Sequence, residues 1–317
     1  MAANGSEEAL MWGVLWHLGY NMWSDRKTPE REQTHIDARD HLRFDEPLWA
    51  DLLSAAVGEG LNTVVLDLGE GVRYESHPEL AVEGSWSPER LHEELGRLRE
   101  MGLEPLPKLN FSTAHDAWLG PYARAVSTPE YYAVCRDLIA EVIDLFDRPR
   151  LFHLGMDEET AQHQRYYSYA VIRQYDLWWH DLYYYIDQVE RGGVRPWVWS
   201  DYVWHHPEAF YRNMPTSVLQ SNWYYQDDFG PEASRAQAYA DLEAHGFDQV
   251  PTGSNWATDA NMGLTVEFCQ KTIAPERLKG FLQTIWRPTL EPFREKHLEG
   301  VRQLGEAKRR FEAAAKE

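Results

Sequence analysis

The sequence predicts a single α/β domain, a (β/α)8 barrel of the TIM type, over residues 1–317. Three observations carry this expectation. Eight short apolar, β-leaning runs alternate with longer stretches of helical spacing. Eight strand–helix units need about 250 residues or more, which the chain length accommodates. The first run ends in Leu18-Gly19-Tyr20-Asn21-Met22-Trp23, with a lone glycine where an open dinucleotide-binding sheet carries a glycine-rich phosphate turn.

Taken in order, strands are expected at 13–18, 63–68, 104–110, 151–155, 196–200, 218–222, 249–253 and 280–285. These runs are largely apolar, as in parallel strands covered on both faces. A helix opens at Pro88, with Ser87 as its N-cap and proline at the first helical position. Another opens at Pro129 and runs to about Phe146, with apolar residues three and four apart. Residues 166–189 read as a long aromatic helix, and helices follow at 234–244, 265–272 and 292–315, the last with a charged outer face.

Lys plus Arg number 31 and Asp plus Glu 51, a net charge of −20. That balance speaks against nucleic acid, whose phosphates need clustered cations, and against an anionic membrane surface. No apolar run reaches the ~18 residues of a spanning helix. The N-terminal text carries Glu7 and Glu8 and no Lys or Arg before Arg26, so it lacks the basic start of a signal peptide. Cys135 and Cys269 lie far apart and form neither a disulfide framework nor a thiolate metal site. A cytoplasmic protein without metal or cofactor is expected.

Aromatic residues make up 13% of the chain, with 14 Trp, and several Trp sit in polar text: Trp23 near Asp25, Trp199 near Asp201, Trp256 near Asp259. Ring faces beside carboxylates suit a sugar, which offers C–H faces to stack and hydroxyls to bond. In a barrel the residues just past each strand converge on one mouth. Here they include Trp23, Glu70, Asn110, His115, Asp157, Glu158, Asp201, Trp223, Tyr225, Trp256, Asp259 and Trp286. A carbohydrate substrate is therefore expected.

The densest signal is His153-Leu154-Gly155-Met156-Asp157-Glu158 at the end of the fourth strand. Adjacent residues in extended chain point different ways, so Asp157 and Glu158 can reach different atoms of one ligand. An acidic pair also serves as helix N-terminal charge, the reading given to Glu159. The segment resembles the His-x-Gly-Gly-Asp-Glu motif of glycoside hydrolase family 20, the β-N-acetylhexosaminidases, with Met156 in place of the second glycine. Gly102 to Asn110 followed by His115 and Trp118 resembles that family's third strand and loop. Val198-Trp199-Ser200-Asp201 resembles its fifth strand, Trp256-Ala257-Thr258-Asp259 its seventh, and Gly280 to Trp286 its eighth. The resemblance covers most of residues 12–290, and the additional N-terminal domain of many members is not expected.

The resemblance implies a retaining, substrate-assisted glycosidase. Glu158 would be general acid and base, Asp157 would orient the 2-acetamido group, and a tyrosine, Tyr225 ahead of Tyr224, would donate to the acetamido oxygen. His115 would tune Glu158, with Glu70 orienting His115. Trp23, Trp199, Asp201, Trp223, Tyr224, Trp256, Asp259 and Trp286 would bind the sugar. Four places depart from the family pattern. Tyr20 stands for an arginine, Asn110 for an aspartate, Ala257 for a tyrosine and Pro288 for a glutamate. Losing the Arg and Glu at the far edge of the sugar leads to an expected preference for N-acetylgalactosamine. Two other readings stay open. One is a metal-dependent barrel enzyme, a sugar isomerase or hydrolase, using His17, Asp67, Glu70, His115, Asp157 and Glu158. The other is a sugar-binding barrel without catalysis.

Overall fold

The computed structural model describes residues 9–28 and 34–315. The chain runs β1 (Met11–His17), α1 (Glu46–Gly58), β2 (Thr63–Asp67), α2 (Pro88–Glu100), β3 (Glu104–Lys108), α3 (Pro129–Leu145), β4 (Leu151–His153) and α4 (Asp176–Arg191). It continues through β5 (Arg195–Trp199), α5 (Tyr202–His205), α6 (Pro207–Asn213), β6 (Leu219–Ser221), α7 (Ser234–Ala244), β7 (Thr252–Ser254), α8 (Asn261–Thr272), β8 (Gly280–Thr284) and α9 (Arg294–Ala314). The strands form one parallel sheet in the order β6-β5-β4-β3-β2-β1-β8-β7. The ends meet: Val250 N–H donates to the Gln220 carbonyl at 2.9 Å and Thr252 N–H to that of Asn222 at 3.0 Å. The barrel is closed, so the sheet keeps no free edge.

Every residue of β1, β2 and β8 is buried. Inner side chains such as Leu15, Val65, Leu106 and Leu282 fill the barrel, and Trp197, Trp199 and Trp286 join this inner core. A larger outer core, including Trp16, Trp49 and Phe281, lies between strands and helices. The parallel register sets His17 beside Asp67, Asp67 beside Lys108, and Lys108 beside His153. This polar layer underlies the mouth. Among the described residues no helix is long and apolar enough to cross a membrane.

The caps behave as the residues predict. Ser87 Oγ accepts from Arg90 N–H at 3.2 Å and Thr128 Oγ1 from Tyr131 N–H at 3.3 Å, each just before a proline. Three expectations need correction. Helix α1 was not anticipated, although Pro47 opens it and Leu48, Trp49, Leu52, Leu53 and Ala56 form its buried stripe. The helix expected from 166 begins at Asp176, because residues 160–175 are pinned as loop by tertiary bonds. In that loop Tyr167 OH reaches the carbonyls of both Met22 and Ala114 at 2.6 Å, and Gln164 Nε2 donates to those of Thr113 and Val171. Strand β7 is Thr252–Ser254 rather than 249–253, starting just past Pro251, which has no N–H for a ladder.

Candidate active site

Strand β4 ends in a tight turn. Gly155 has φ +73°, and a Cβ there would overlap the Asn110 side chain. Met156 follows at φ +78° and Glu158 at φ +54°. Non-glycine residues in this region carry strain of about 1–3 kcal/mol each, held in place by their surroundings. The restraints are visible. Asn110 Oδ1 accepts from Met156 N–H at 3.2 Å, Ser112 Oγ donates to the Asp157 carbonyl, and Asp201 Oδ2 accepts from Glu158 N–H at 2.9 Å.

The turn separates the two acids. Asp157 is 6% exposed, and its Oδ1 accepts from Asn110 Nδ2 at 2.8 Å. An aspartate at 110 would set a second carboxylate against Asp157; the amide supplies a donor instead. The buried His115 Nε2 lies 3.3 Å from Asp157 Oδ2 and 3.3 Å from Glu158 Oε2, bridging the pair. Glu158 Oε1 meets His163 Nε2 at 3.3 Å. His163 comes from the irregular loop after β4, and sequence reasoning missed it.

These contacts set the protonation pattern. Burial works to lower the His115 pKa, but the Asp157 and Glu158 carboxylates outweigh it and push it up to about 10. Burial opposes ionisation of Glu158, but hydrogen bonds and charge from His115 and His163 hold its carboxyl well below the usual range. Asp201 is pushed up to about 8 by burial and then by the charges of Asp157 and Glu158. At neutral pH the protons therefore reside on His115 and Asp201.

Aromatic residues surround the Asp157 side. The Trp23 ring meets His115 edge-on at 4.7 Å, and Trp286 lies 5.8 Å from Trp23 and 6.1 Å from Trp199, centroid to centroid. Trp286 Nε1 donates to Tyr225 Oη at 3.0 Å, with Thr284 Oγ1 at 3.3 Å. Burial pushes the Tyr225 pKa up, so its hydroxyl stays neutral. The Trp223 ring packs tilted against Tyr225 at 5.0 Å, and its Nε1 donates to Asp201 Oδ1 at 3.4 Å. The buried indole N–H groups of Trp23 and Trp199 have no acceptor among the described residues. The structure thus brings together Asp157, Glu158, His115, Asp201, Tyr225, Trp23, Trp199, Trp223 and Trp286.

Four expected residues stand apart. Tyr224 points outward onto Phe229 at 5.4 Å. Asp259 faces α9, where Gln303 Nε2 donates to it at 3.4 Å and Lys296 Nζ lies 3.8 Å away. Trp256 is 43% exposed at the rim beneath the Arg287 guanidinium. Glu70 accepts from the N–H groups of Tyr20 and Asn21 at 2.8 and 2.9 Å, bracing the loop after β1 rather than His115. Glu159 is not helix-terminal charge either: it holds Arg173 through the Nε and Nη2 groups at 2.8 and 2.7 Å. At the departures, Tyr20 OH donates to the Trp286 carbonyl at 3.0 Å, and Arg287 donates to the same carbonyl at 2.9 Å. Arg287 was not anticipated.

For a metal, ligand atoms of His115, Asp157 and Glu158 lie within 4.8 Å of one another. The other residues of that reading do not join them. Asp67 is paired with the buried Lys108 ammonium and with His17 at 3.3 Å, deep in the barrel.

No protein-family model matches the sequence, nor does any curated protein. Solved structures do match in fold. A family 20 exo-β-N-acetylglucosaminidase of Vibrio harveyi, in complex with N-acetylglucosamine, aligns with 92% of this chain and 54% of its own, at 13% identity and a TM-score of 0.61. A β-N-acetylhexosaminidase of Bacteroides fragilis aligns with 92% of this chain and 65% of its own, at 13% identity and a TM-score of 0.60. A β-hexosaminidase of Streptomyces plicatus in complex with its product aligns with 94% and 64%, at 14% identity and a TM-score of 0.63. The chain thus spans between 54% and 65% of the length of these three proteins. It shares the barrel fold of family 20 β-N-acetylhexosaminidases.

Proposed function

We propose that the protein is a retaining exo-β-N-acetylhexosaminidase that uses the substrate's own 2-acetamido group as nucleophile. The observation that carries this is the placing of the two acids. Asp157 is turned to the aromatic side with Tyr225, while Glu158 opens outward, and one imidazole bridges them. In the reaction the acetamido oxygen attacks the anomeric carbon while Glu158, loaded with the proton that His115 beside it holds in the free site, passes that proton to the leaving oxygen. Asp157 orients the acetamido N–H and balances the positive charge of the oxazolinium, while the Tyr225 hydroxyl donates to the acetamido oxygen. Glu158, now ionised, takes a proton from the water that opens the intermediate. Asn110 and His115 fix Asp157, and the free N–H groups of Trp23 and Trp199 offer donors to sugar oxygens. All these residues lie within one barrel, which supports reading the chain as one catalytic unit.

The same reading gives N-acetylgalactosamine at least the rate of N-acetylglucosamine. Tyr20 replaces a charged side chain, and its hydroxyl is already bonded to the Trp286 carbonyl. A site that does not demand an equatorial 4-hydroxyl does not reject the axial epimer. The test is hydrolysis of nitrophenyl β-glycosides of N-acetylgalactosamine, N-acetylglucosamine, galactose and glucose, with anomeric configuration followed by NMR. Turnover restricted to the acetamido sugars, with retention, is expected. Inversion, or equal rates on glucose, would overturn the mechanism. A kcat/KM ratio of about ten favouring the gluco sugar, about 1.4 kcal/mol, would overturn the galacto reading alone.

A further inference from the structure

Glu158 also borders a second space. On its outer side lies a cavity of about 420 Å³ to which Asp157 does not contribute. That volume is typical of a site for a small ligand. Most of its wall is the loop between β4 and α4, ending at Tyr175; Tyr202, Trp204 and His205 after β5 and Arg235 at the start of α7 complete it. Tyr175 is 71% exposed and sits at φ +52°. An exposed ring held on a strained backbone is an expense the fold tolerates at functional positions.

The charges of this cavity are unequal. Arg235 lies 4.4 Å over the Trp204 ring and has no carboxylate partner among the described residues. His163, His205 and His206 lie around the same space. The acids there are already engaged. Glu159 is held by Arg173, and Asp201 accepts from Glu158 N–H and Trp223 Nε1. An uncommitted guanidinium lining the same cavity as Glu158 stands out in a chain of net charge −20.

We infer that this cavity receives the leaving sugar and that Arg235, braced on Trp204, selects an acidic one, a uronate, over its neutral counterpart. The inference rests on Glu158 being the general acid, since the group it protonates departs on its open side. The planar guanidinium matches a carboxylate in two parallel hydrogen bonds. Packing on an indole face holds the fork in place without neutralising it. The exposed Tyr175 ring offers a face for the sugar's C–H groups.

The test uses two matched thio-linked disaccharides, which resist hydrolysis. Each carries β-linked N-acetylgalactosamine on glucuronic acid or on glucose, and each is titrated into the unmodified protein by calorimetry. The uronate is expected to bind about fivefold more tightly at low salt, a modest ion-pair effect, and the advantage should shrink as salt rises. In Arg235→Gln the ratio should fall to about one, and Arg235→Lys should restore part of it. Equal affinity for the two, binding of neither, or a preference that survives Arg235→Gln would overturn the inference. The hydrolase reading fails separately, if the nitrophenyl N-acetylhexosaminides are not cleaved; the binding ratio still decides the cavity.

Discussion

The two ends of the barrel differ in a way that volume does not reveal. The larger cavity, about 1110 Å³, lies at the N-terminal end of the strands, bordered by Leu10, Arg150, Arg195, Leu278 and Phe311. Its cations are paired: Arg150 with Glu104 at 2.6 Å, and Arg195 and Lys279 with Asp248 at 2.9 and 3.6 Å. The mouth carries the left-handed residues Met156, Glu158 and Trp286, the unmatched indole donors and the shifted carboxyls. Chemistry collects where groups are strained, unpaired or held in an unusual charge state. A roomy cavity with satisfied walls is scaffold.

Mutation can break this contrast, and the largest effect should come at the mouth. Glu158→Gln should lower kcat on a sugar leaving group by about 10²–10⁴-fold, with a smaller loss for nitrophenyl, which leaves without protonation. Arg195→Gln at the other end should leave kcat/KM within about twofold and lower stability by no more than about 1 kcal/mol. Comparable kinetic losses at both ends would erase the distinction.

Next in size, Tyr225→Phe should reduce kcat/KM on acetamido sugars by about 10²-fold, the scale of losing one preorganised donor to the reacting group. Tyr224→Phe, on the outer layer, should cost less than about twofold on that same scale. If Tyr224 proves the more costly, the inner assignment is wrong.

A smaller, pH-dependent effect concerns stability. Asp201 is pushed up from 3.8 to about 8 in the folded chain. A carboxyl with a raised pKa stabilises fully below its unfolded pKa, and that contribution is lost as pH rises through the folded value. Asp201→Asn keeps the neutral shape and removes the titration. Its melting temperature should match the parent near pH 4 and exceed it by about 2–4 °C near pH 8. A constant difference across that range would assign Asp201 a different charge.

The finest test is of His163. Its contact helps hold Glu158 ionised. His163→Gln should raise the Glu158 pKa and move the alkaline limb of kcat/KM to higher pH. An unmoved limb would place His163 outside the acid's environment.

Much of this architecture is legible in the sequence because parallel strands buried on both faces leave continuous apolar runs, and the acids follow one of them directly. His115, Asp157 and Glu158 stand out as residues just past strands, and the structure sets them beside one another. The misses have a common cause. Residues 160–175 carry aromatic text of helical appearance, but Tyr167, Gln164 and Arg173 bond to distant backbone and side chains and fix a loop. His163 travels with that loop. Asp259 follows a strand of only three residues, and contacts with α9 decide where it points. Helix α1 was different: its stripe of Leu48, Trp49, Leu52 and Leu53 lay in plain view.

Tyr167 has a consequence for how such a barrel can diversify. Its hydroxyl ties the loop after β4 to the backbone after β1, at Met22, and after β3, at Ala114. A change that removes Tyr167 therefore takes this donor from two buried carbonyls at once. The walls carrying Tyr202, Trp204 and Arg235 lie outside that knot. If the cavity takes the leaving sugar as inferred, loop grafting to change that sugar should begin at these walls and leave the loop after β4 in place.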